Sequence, residues 1–227
     1  AGVYYQNRGL RSAVTTRRLV LAIPAGVLRQ DVIKITPTLS SAKMQALQAM
    51  TAEPYLSCAL LMPADQGQLA SGQANWHRDD LGVHLRASKS GINGELLLEA
   101  HYWGVRADAL ASEDESLVLR LALQDFTPAL ITQPVLEDAI WTQYVDWSSE
   151  AYSRGAITSP GTTSEHLALA ESIGDTLFFA GDAACDPSLA GSLQGAYDSG
   201  IRAAREIAVS LALGEQEEGA EPILELL

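Results

Sequence analysis

Cysteine is scarce in this chain: Cys58 and Cys185 are the only two in 227 residues, and they form no C-x-x-C pair. That excludes a disulfide framework and a cysteine-based zinc site. The four histidines, His77, His84, His101 and His166, are scattered without metal-ligand spacing, so metal chemistry is not expected. Positive charge is also in short supply. Fifteen Lys and Arg against 28 Asp and Glu leave a formal charge of −13, the wrong sign for binding nucleic acid or an anionic membrane surface. No apolar run approaches the roughly 18 to 20 residues of a membrane span, and "AGVYYQNRGLRS" lacks a signal-peptide layout. The expectation is a soluble chain, cytoplasmic in preference to secreted.

What is present is a chain 47% hydrophobic, long enough to bury a substantial core as one large domain or two small ones. The opening reads as a β-hairpin turning at Gly9, then a buried strand at Leu19–Ile23 stopped by Pro24 and Gly26. Met44, Leu47 and Met50 recur at helical spacing behind Ser40 and Ser41, which predicts a helix over Ser41–Met50. "PYLSCALLMPA" predicts a second apolar strand, and short strands follow, two of them joined by the turn "SGINGE". Ser112 with Glu115 fits a capping box ahead of the helix in "SLVLRLALQDF". "LEDAIWTQYVDW" reads as one more strand. The mixture of strands and helices predicts an α/β fold (α+β mixed).

The chain closes on strand, turn and helix: "TLFFAG", then "DAACDPSLAGS", then "LQGAYDSGIRAAREIAVSLALG". The first turn of a helix offers unpaired N–H groups and a partial positive charge, and glycines let a ligand approach the backbone. Gly181, Gly191 and Gly195 sit where such an approach would serve, and Asp182 is placed to accept hydrogen bonds from hydroxyls. On these residues alone, a βα unit whose glycines serve only turns and tight packing is an equal reading.

Three stretches carry a resemblance. "LFFAGDA…AGSLQGAYDSGIRAAREI" resembles the C-terminal signature of the flavin-dependent amine oxidases, a family that includes L-amino acid oxidases. "RRLVLAIPAGVLRQDVIKITPTLSSAKMQAL" is similar to the family's strand ending in Pro-x-Gly-Val-Leu and the Lys-bearing helix after it. "WSSEAYSRGAITSPG" resembles the family's Trp and Gly-Ala-Tyr segment near the flavin. The resemblance implies the C-terminal part of a two-domain FAD-dependent fold: 1–30 and 163–213 from the FAD domain, 31–162 a mixed-sheet substrate domain, 214–227 an acidic tail. It implies FAD as cofactor, with Gly181 and Asp182 toward the ribityl and phosphate part. Ser192, Leu193, Gln194 and Ala196 then fall at the flavin ring, with Trp147 nearby.

The family's N-terminal G-x-G-x-x-G unit, which grips the FAD pyrophosphate, has no counterpart here, so a second polypeptide or a separate half carrying it is expected. Ser57 stands where many members have a lysine, and Gly155-Ala156-Ile157 replaces Gly-Ala-Tyr. The implied reaction is oxidation of the C–N bond of an amine or L-amino acid by hydride transfer to flavin, with molecular oxygen reoxidising it to give hydrogen peroxide. No catalytic residue is assigned. Candidate pocket residues are Trp76, His77, Tyr102, Trp103 and Trp147, with Arg78 or Arg86 as a carboxylate clamp. The rival readings are a non-catalytic subunit that kept the fold, and a flavoprotein like the carotenoid desaturases or protoporphyrinogen oxidases.

Overall fold

The computed structural model describes all residues except 31, 67–68, 71–74, 91–93, 159–160, 214–222 and 227. The chain divides into two compact units, the first made of Ala1–Ala52 and Ala151–Leu227, the second of Glu53–Glu150.

The first unit opens with β1 (Gly2–Asn7) and β2 (Leu10–Thr15), paired antiparallel. Arg8 and Gly9 both have positive φ, 48° and 83°, the two-residue turn whose twist suits a hairpin. After β3 (Leu19–Leu21), Pro24 ends the extended run and becomes the N-cap of α1 (Ala25–Arg29), a place where its missing N–H costs nothing. β4 (Ile33–Thr36) leads to α2 (Ser41–Ala49), whose N-cap Ser40 accepts the Lys43 N–H at 3.2 Å. β5 (Ala52–Glu53) carries the chain across the division.

In the second unit, β6 (Tyr55–Met62), β7 (Asn75–Arg78), β8 (Val83–Ser90) and β9 (Glu95–Trp103) precede α3 (Gly104–Ala111), α4 (Glu115–Phe126) and β10 (Trp141–Asp146). The strands form an antiparallel sheet in the order β10-β6-β9-β8-β7. Alternation decides its core: Leu56, Leu60 and Met62 of β6 and Leu96, Leu98 and Tyr102 of β9 are wholly buried. Val118, Ala122 and Phe126 of α4 cover them. The capping box expected from Ser112 and Glu115 does not form. Ser112 instead closes α3, its hydroxyl donating to Ala109 O, and Asp114 is the N-cap of α4, accepting the Ser116 N–H at 2.9 Å. In "SGINGE", residues 91–93 lie outside the described residues, though β8 and β9 pair on either side.

Returning to the first unit, the chain forms β11 (Ile157–Thr158), α5 (Thr163–Ala170), β12 (Leu177–Phe179), α6 (Leu193–Leu213) and β13 (Ile223–Leu226). β12 pairs in parallel with β3, Leu177 opposite Leu19. β13 lies between β1 and β4. Of the expected acidic tail, 214–222 lie outside the described residues, and its end is this strand. α5 went unread in the sequence although a capping box marks it: Thr162 Oγ1 accepts the Glu165 N–H, and Glu165 Oε2 accepts the Thr162 N–H. The expected boundaries at 31 and 162 are not those of the compact units. α2 packs on α5 through Leu47, Met50 and Leu169, which draws 31–52 and 151–162 into the first unit.

Candidate functional site

The three residues of β12 are fully buried, and the strand delivers the chain to Gly181. There φ is 117° and ψ 173°, a conformation open essentially to glycine alone. A Cβ at this position would meet nothing within 4 Å. The glycine is thus required by its backbone, and the space before it is open. Its N–H donates to Ser199 Oγ of α6 at 2.9 Å. Asp182 follows, its Oδ2 accepting the Thr158 N–H at 3.3 Å.

α6 starts where Ser192 caps it: Ser192 Oγ accepts the Gly195 N–H at 3.0 Å and donates to Leu189 O at 2.7 Å. Gly195 is required by space. A Cβ there would stand 2.3 Å from Leu189 O and 2.8 Å from Cys185 Sγ, so the preceding loop packs directly on the first turn. The Cys185 thiol donates to Asp182 O at 2.9 Å and Asp186 O at 3.1 Å, and burial pushes its pKa up. With both contacts it braces the loop.

Between these elements, wholly within the first unit, opens a cavity of about 270 Å³ bordered by Pro24, Gly26, Gly155, Thr158, Asp182 and Ala196, with Gly181 at its wall. Its lining is almost entirely small, and among the described residues Asp182 is its one ionisable side chain. Such a wall presents backbone N–H and C=O groups at close range and one carboxylate able to accept hydrogen bonds. A ligand that is planar, rich in heteroatoms and carries hydroxyls matches that inventory.

Of the expected cofactor residues, Gly181, Asp182 and Ala196 come together at this cavity. The Ser192 hydroxyl is committed to capping. Leu193 is 88% exposed, and exposed Gln194 donates through Nε2 to Asp198 Oδ1. Trp147 belongs to the second unit, where its indole N–H donates to Ser57 Oγ at 2.9 Å; Ser57 is thereby partnered. Gly155 and Ala156 line the cavity, while the Ile157 side chain lies outside the described residues.

The second unit brings together residues that the sequence keeps apart. On the sheet face turned away from α3 and α4, register aligns His77 with His84 and His84 with His101. The rings run Trp103–His77–His84–His101–Tyr55, with centroids 5.4, 5.4, 6.0 and 6.0 Å apart. Tyr55 OH and His101 Nδ1 are 3.0 Å apart. Burial lowers the His101 pKa against the opposing charge of Glu99, and burial raises that of Tyr55. Reading these histidines one at a time concealed the row, because only strand register assembles it.

Two of the expected pocket residues lie on the side of the sheet that carries the helices. Tyr102 is wholly buried, its hydroxyl donating to Asp125 Oδ2 at 2.9 Å, with burial first and then Asp125 raising its pKa. Trp76 packs edge-on against Phe126 at 6.2 Å. Both occupy the alternate strand positions that face the helices, whereas Trp103 and His77 occupy the opposite face. Arg78 is held by Asp80 through two hydrogen bonds of 3.0 and 3.1 Å, and Arg86 lies 3.5 Å from Glu99.

The fold and cavity define a mixed α/β portion of a cofactor-binding fold. Residues 3–208 match the family model of the flavin containing amine oxidoreductases, and the chain belongs to that family. Its cofactor is FAD. Among solved structures it is similar to cyclohexylamine oxidase from Brevibacterium oxydans IH-35A (TM-score 0.67, 20% identity), over 91% of this chain and 45% of that one. It is also similar to putrescine oxidase in a redesign of cofactor binding (TM-score 0.66, 16% identity), over 91% of this chain and 48% of that one. The chain thus spans about half the length of the solved structures it matches. Comparison with curated proteins finds no match. The residues present fit part of a flavin: the open space at Gly181, the Asp182 carboxylate and the small-residue wall suit close approach of a planar, hydroxyl-bearing group. Among the described residues no helix is long and apolar enough to cross a membrane.

Proposed function

We propose that this chain forms the flavin-facing part of an FAD-dependent amine oxidase, one that converts the C–N bond of an amine to an imine while molecular oxygen is reduced to hydrogen peroxide. The observation that carries the reading is the cavity of the first unit, where Gly181, Asp182 and the first turn of α6 meet a wall of alanines and glycines. Bound FAD would supply the two-electron acceptor, the chemistry that no side chain can provide. The chain's own part is to hold and orient. Asp182 accepts hydrogen bonds from hydroxyls of the cofactor, Gly181 leaves room for them, and Ala196 sits at the positive end of α6, which stabilises negative charge. In this reading the pyrophosphate grip comes from a second polypeptide or another part of the protein, because no G-x-G-x-x-G occurs here.

The second unit is the substrate side of the proposal, its row of rings from Trp103 to Tyr55 offering stacking surface for a substrate. An amine is favoured over an amino acid. The two arginines proposed to clamp a carboxylate already face Asp80 and Glu99, and both similar solved structures carry names of oxidases acting on amines without a carboxylate. The test is to purify the complete protein containing this chain, measure flavin released on denaturation, and assay peroxide from monoamines, diamines and amino acids. Bound flavin with amine-dependent peroxide is expected, and Asp182→Ala should weaken flavin binding about tenfold, the scale of one lost charge-assisted hydrogen bond. Wild-type protein that neither retains nor takes up flavin would sink the proposal.

A further inference from the structure

α5 ends at Ala170 without the glycine that commonly closes a helix, so its last carbonyls need other partners. All of them have one. Leu167 O accepts the Glu171 N–H at 3.0 Å. Lys43 Nζ, from α2, donates to Ala168 O at 2.7 Å, Leu169 O at 2.8 Å and Glu171 O at 2.7 Å. Arg202 Nη1, from α6, donates to Ala170 O at 3.2 Å. Two cations therefore meet the negative end of the helix.

Arg202 does more than cap. Its Nη2 donates to Phe179 O at 2.7 Å and to Ala184 O at 3.1 Å, the carbonyls on either side of the turn that contains Gly181 and Asp182. Glu206 Oε1 accepts from Nη1 at 2.8 Å and aims the guanidinium. One helical turn earlier on the same face, Ser199 Oγ receives the Gly181 N–H. A planar guanidinium spreads its donors over separate nitrogens, so Nη1 reaches the end of α5 while Nη2 bridges the two sides of the turn, whereas the donors of an ammonium all radiate from one atom.

We infer that Arg202 is a positioning residue for the cofactor-facing turn: its guanidinium fixes Ala180–Ala183 against the end of α5, and Ser199 sets the direction of the Gly181 amide. This rests on the flavin reading above, yet it concerns contacts within the chain. Arg18 supplies a matched control. Its guanidinium also grips α6, through Ser210 Oγ at 2.7 Å and Ser210 O at 3.0 Å, but at the other end of the helix.

The experiment compares Arg202→Lys, Arg18→Lys and the milder Ser199→Ala in the complete protein. Hydrogen exchange at residues 181–184 is followed without flavin, FAD affinity by titration, and stability by thermal unfolding. Arg202→Lys is expected to speed exchange at 181–184 and raise the FAD dissociation constant, each by about tenfold or more. Ser199→Ala should do so to a smaller extent. Arg18→Lys should lower the unfolding midpoint while leaving both readouts at wild-type values. Wild-type exchange in Arg202→Lys, or equal effects from Arg18→Lys, would overturn the inference. If the wild-type protein takes up no FAD, the flavin reading fails on its own and the exchange comparison still decides the clamp.

Discussion

Lys43→Met is the substitution whose outcome the structure constrains most closely. The lysine is 1% exposed, its Nζ lies 3.9 Å above the Phe179 ring, and three carbonyls depend on it at 2.7–2.8 Å. Methionine keeps most of the apolar stem and removes the donors. Leaving each carbonyl unpaired costs about 1–3 kcal/mol, or about 6 kcal/mol together. Against this stands the relief of a buried charge. Burial first, opposed by Glu171 and reinforced by Arg202, lowers the Lys43 pKa from 10.5 to about 8, a penalty of about 3 kcal/mol on the ammonium. The net expectation at pH 7 is a loss of about 3 kcal/mol, which for a chain of this size lowers the midpoint by about 10 °C. The pH dependence follows from the sign. Because the folded pKa lies below the unfolded one, the unfolded chain holds more protons between pH 8 and 10.5. The wild type therefore gains stability across that window, and the penalty is complete only below pH 8. The methionine variant lacks this gain, so the gap should widen toward about 6 kcal/mol near pH 10.5. Calorimetry and urea melts followed by circular dichroism suit the test. All four tryptophans lie in residues 53–150, so their fluorescence reports the second unit and serves as an internal control. A variant as stable as wild type at pH 7, or a gap that does not grow with pH, refutes the reasoning.

Other substitutions probe the site and the core. Gly181→Ala should cost about 1–3 kcal/mol through backbone strain alone, since its Cβ meets nothing within 4 Å, and a urea melt reads it; a neutral effect would mean that the turn relaxes. Gly195→Ala places a Cβ 2.3 Å from Leu189 O and should displace the first turn of α6, weakening flavin uptake in a fluorescence titration more than Gly181→Ala does. Tyr102→Phe removes one hydrogen bond to Asp125 while Arg106 still pairs with that carboxylate at 2.7 Å. It should cost about 1 kcal/mol by denaturant melt and leave the Michaelis constant for amines unchanged, since the ring is wholly buried.

Elements with strong local punctuation were legible in the sequence. Gly9 turns the first hairpin, Ser40 caps α2, and the apolar run in "PYLSCALLMPA" makes a strand over Tyr55–Met62. Where two signals compete, reading failed. Ser112 and Asp114 both precede the same helix, and only the ending of α3 at Ala111 assigns Ser112 to the earlier one. α5 is short and ends on no glycine, and the partners of its last carbonyls lie far off in sequence, Lys43 at 125 and more positions and Arg202 at 32. The compact-unit boundary was hidden for the same reason: α2 belongs with α5 through packing that no local pattern records.

At the site, what was legible was the backbone requirement, and what was not was the side-chain framework behind it. Gly181 and Asp182 stand out because glycine before an acid at a strand end is a local pattern. Arg202 does not, since within "SGIRAAREI" it reads as one more solvated charge on a helix. Apolar periodicity would also turn α6 the wrong way round. Its buried positions are Gly195, Ser199, Ala203 and Ser210, with Arg202 and Glu206 partly covered, whereas Leu193 and Tyr197 are 88% and 64% exposed. The inner face of this helix is small and polar because the backbone of β12 and its turn offers carbonyls and an amide that need partners, and serine and arginine answer them at 2.7–3.1 Å. Hydrogen-bond demand, more than apolar burial, therefore sets how α6 lies on this turn. That ordering makes Arg202 matter to a cavity its side chain does not line.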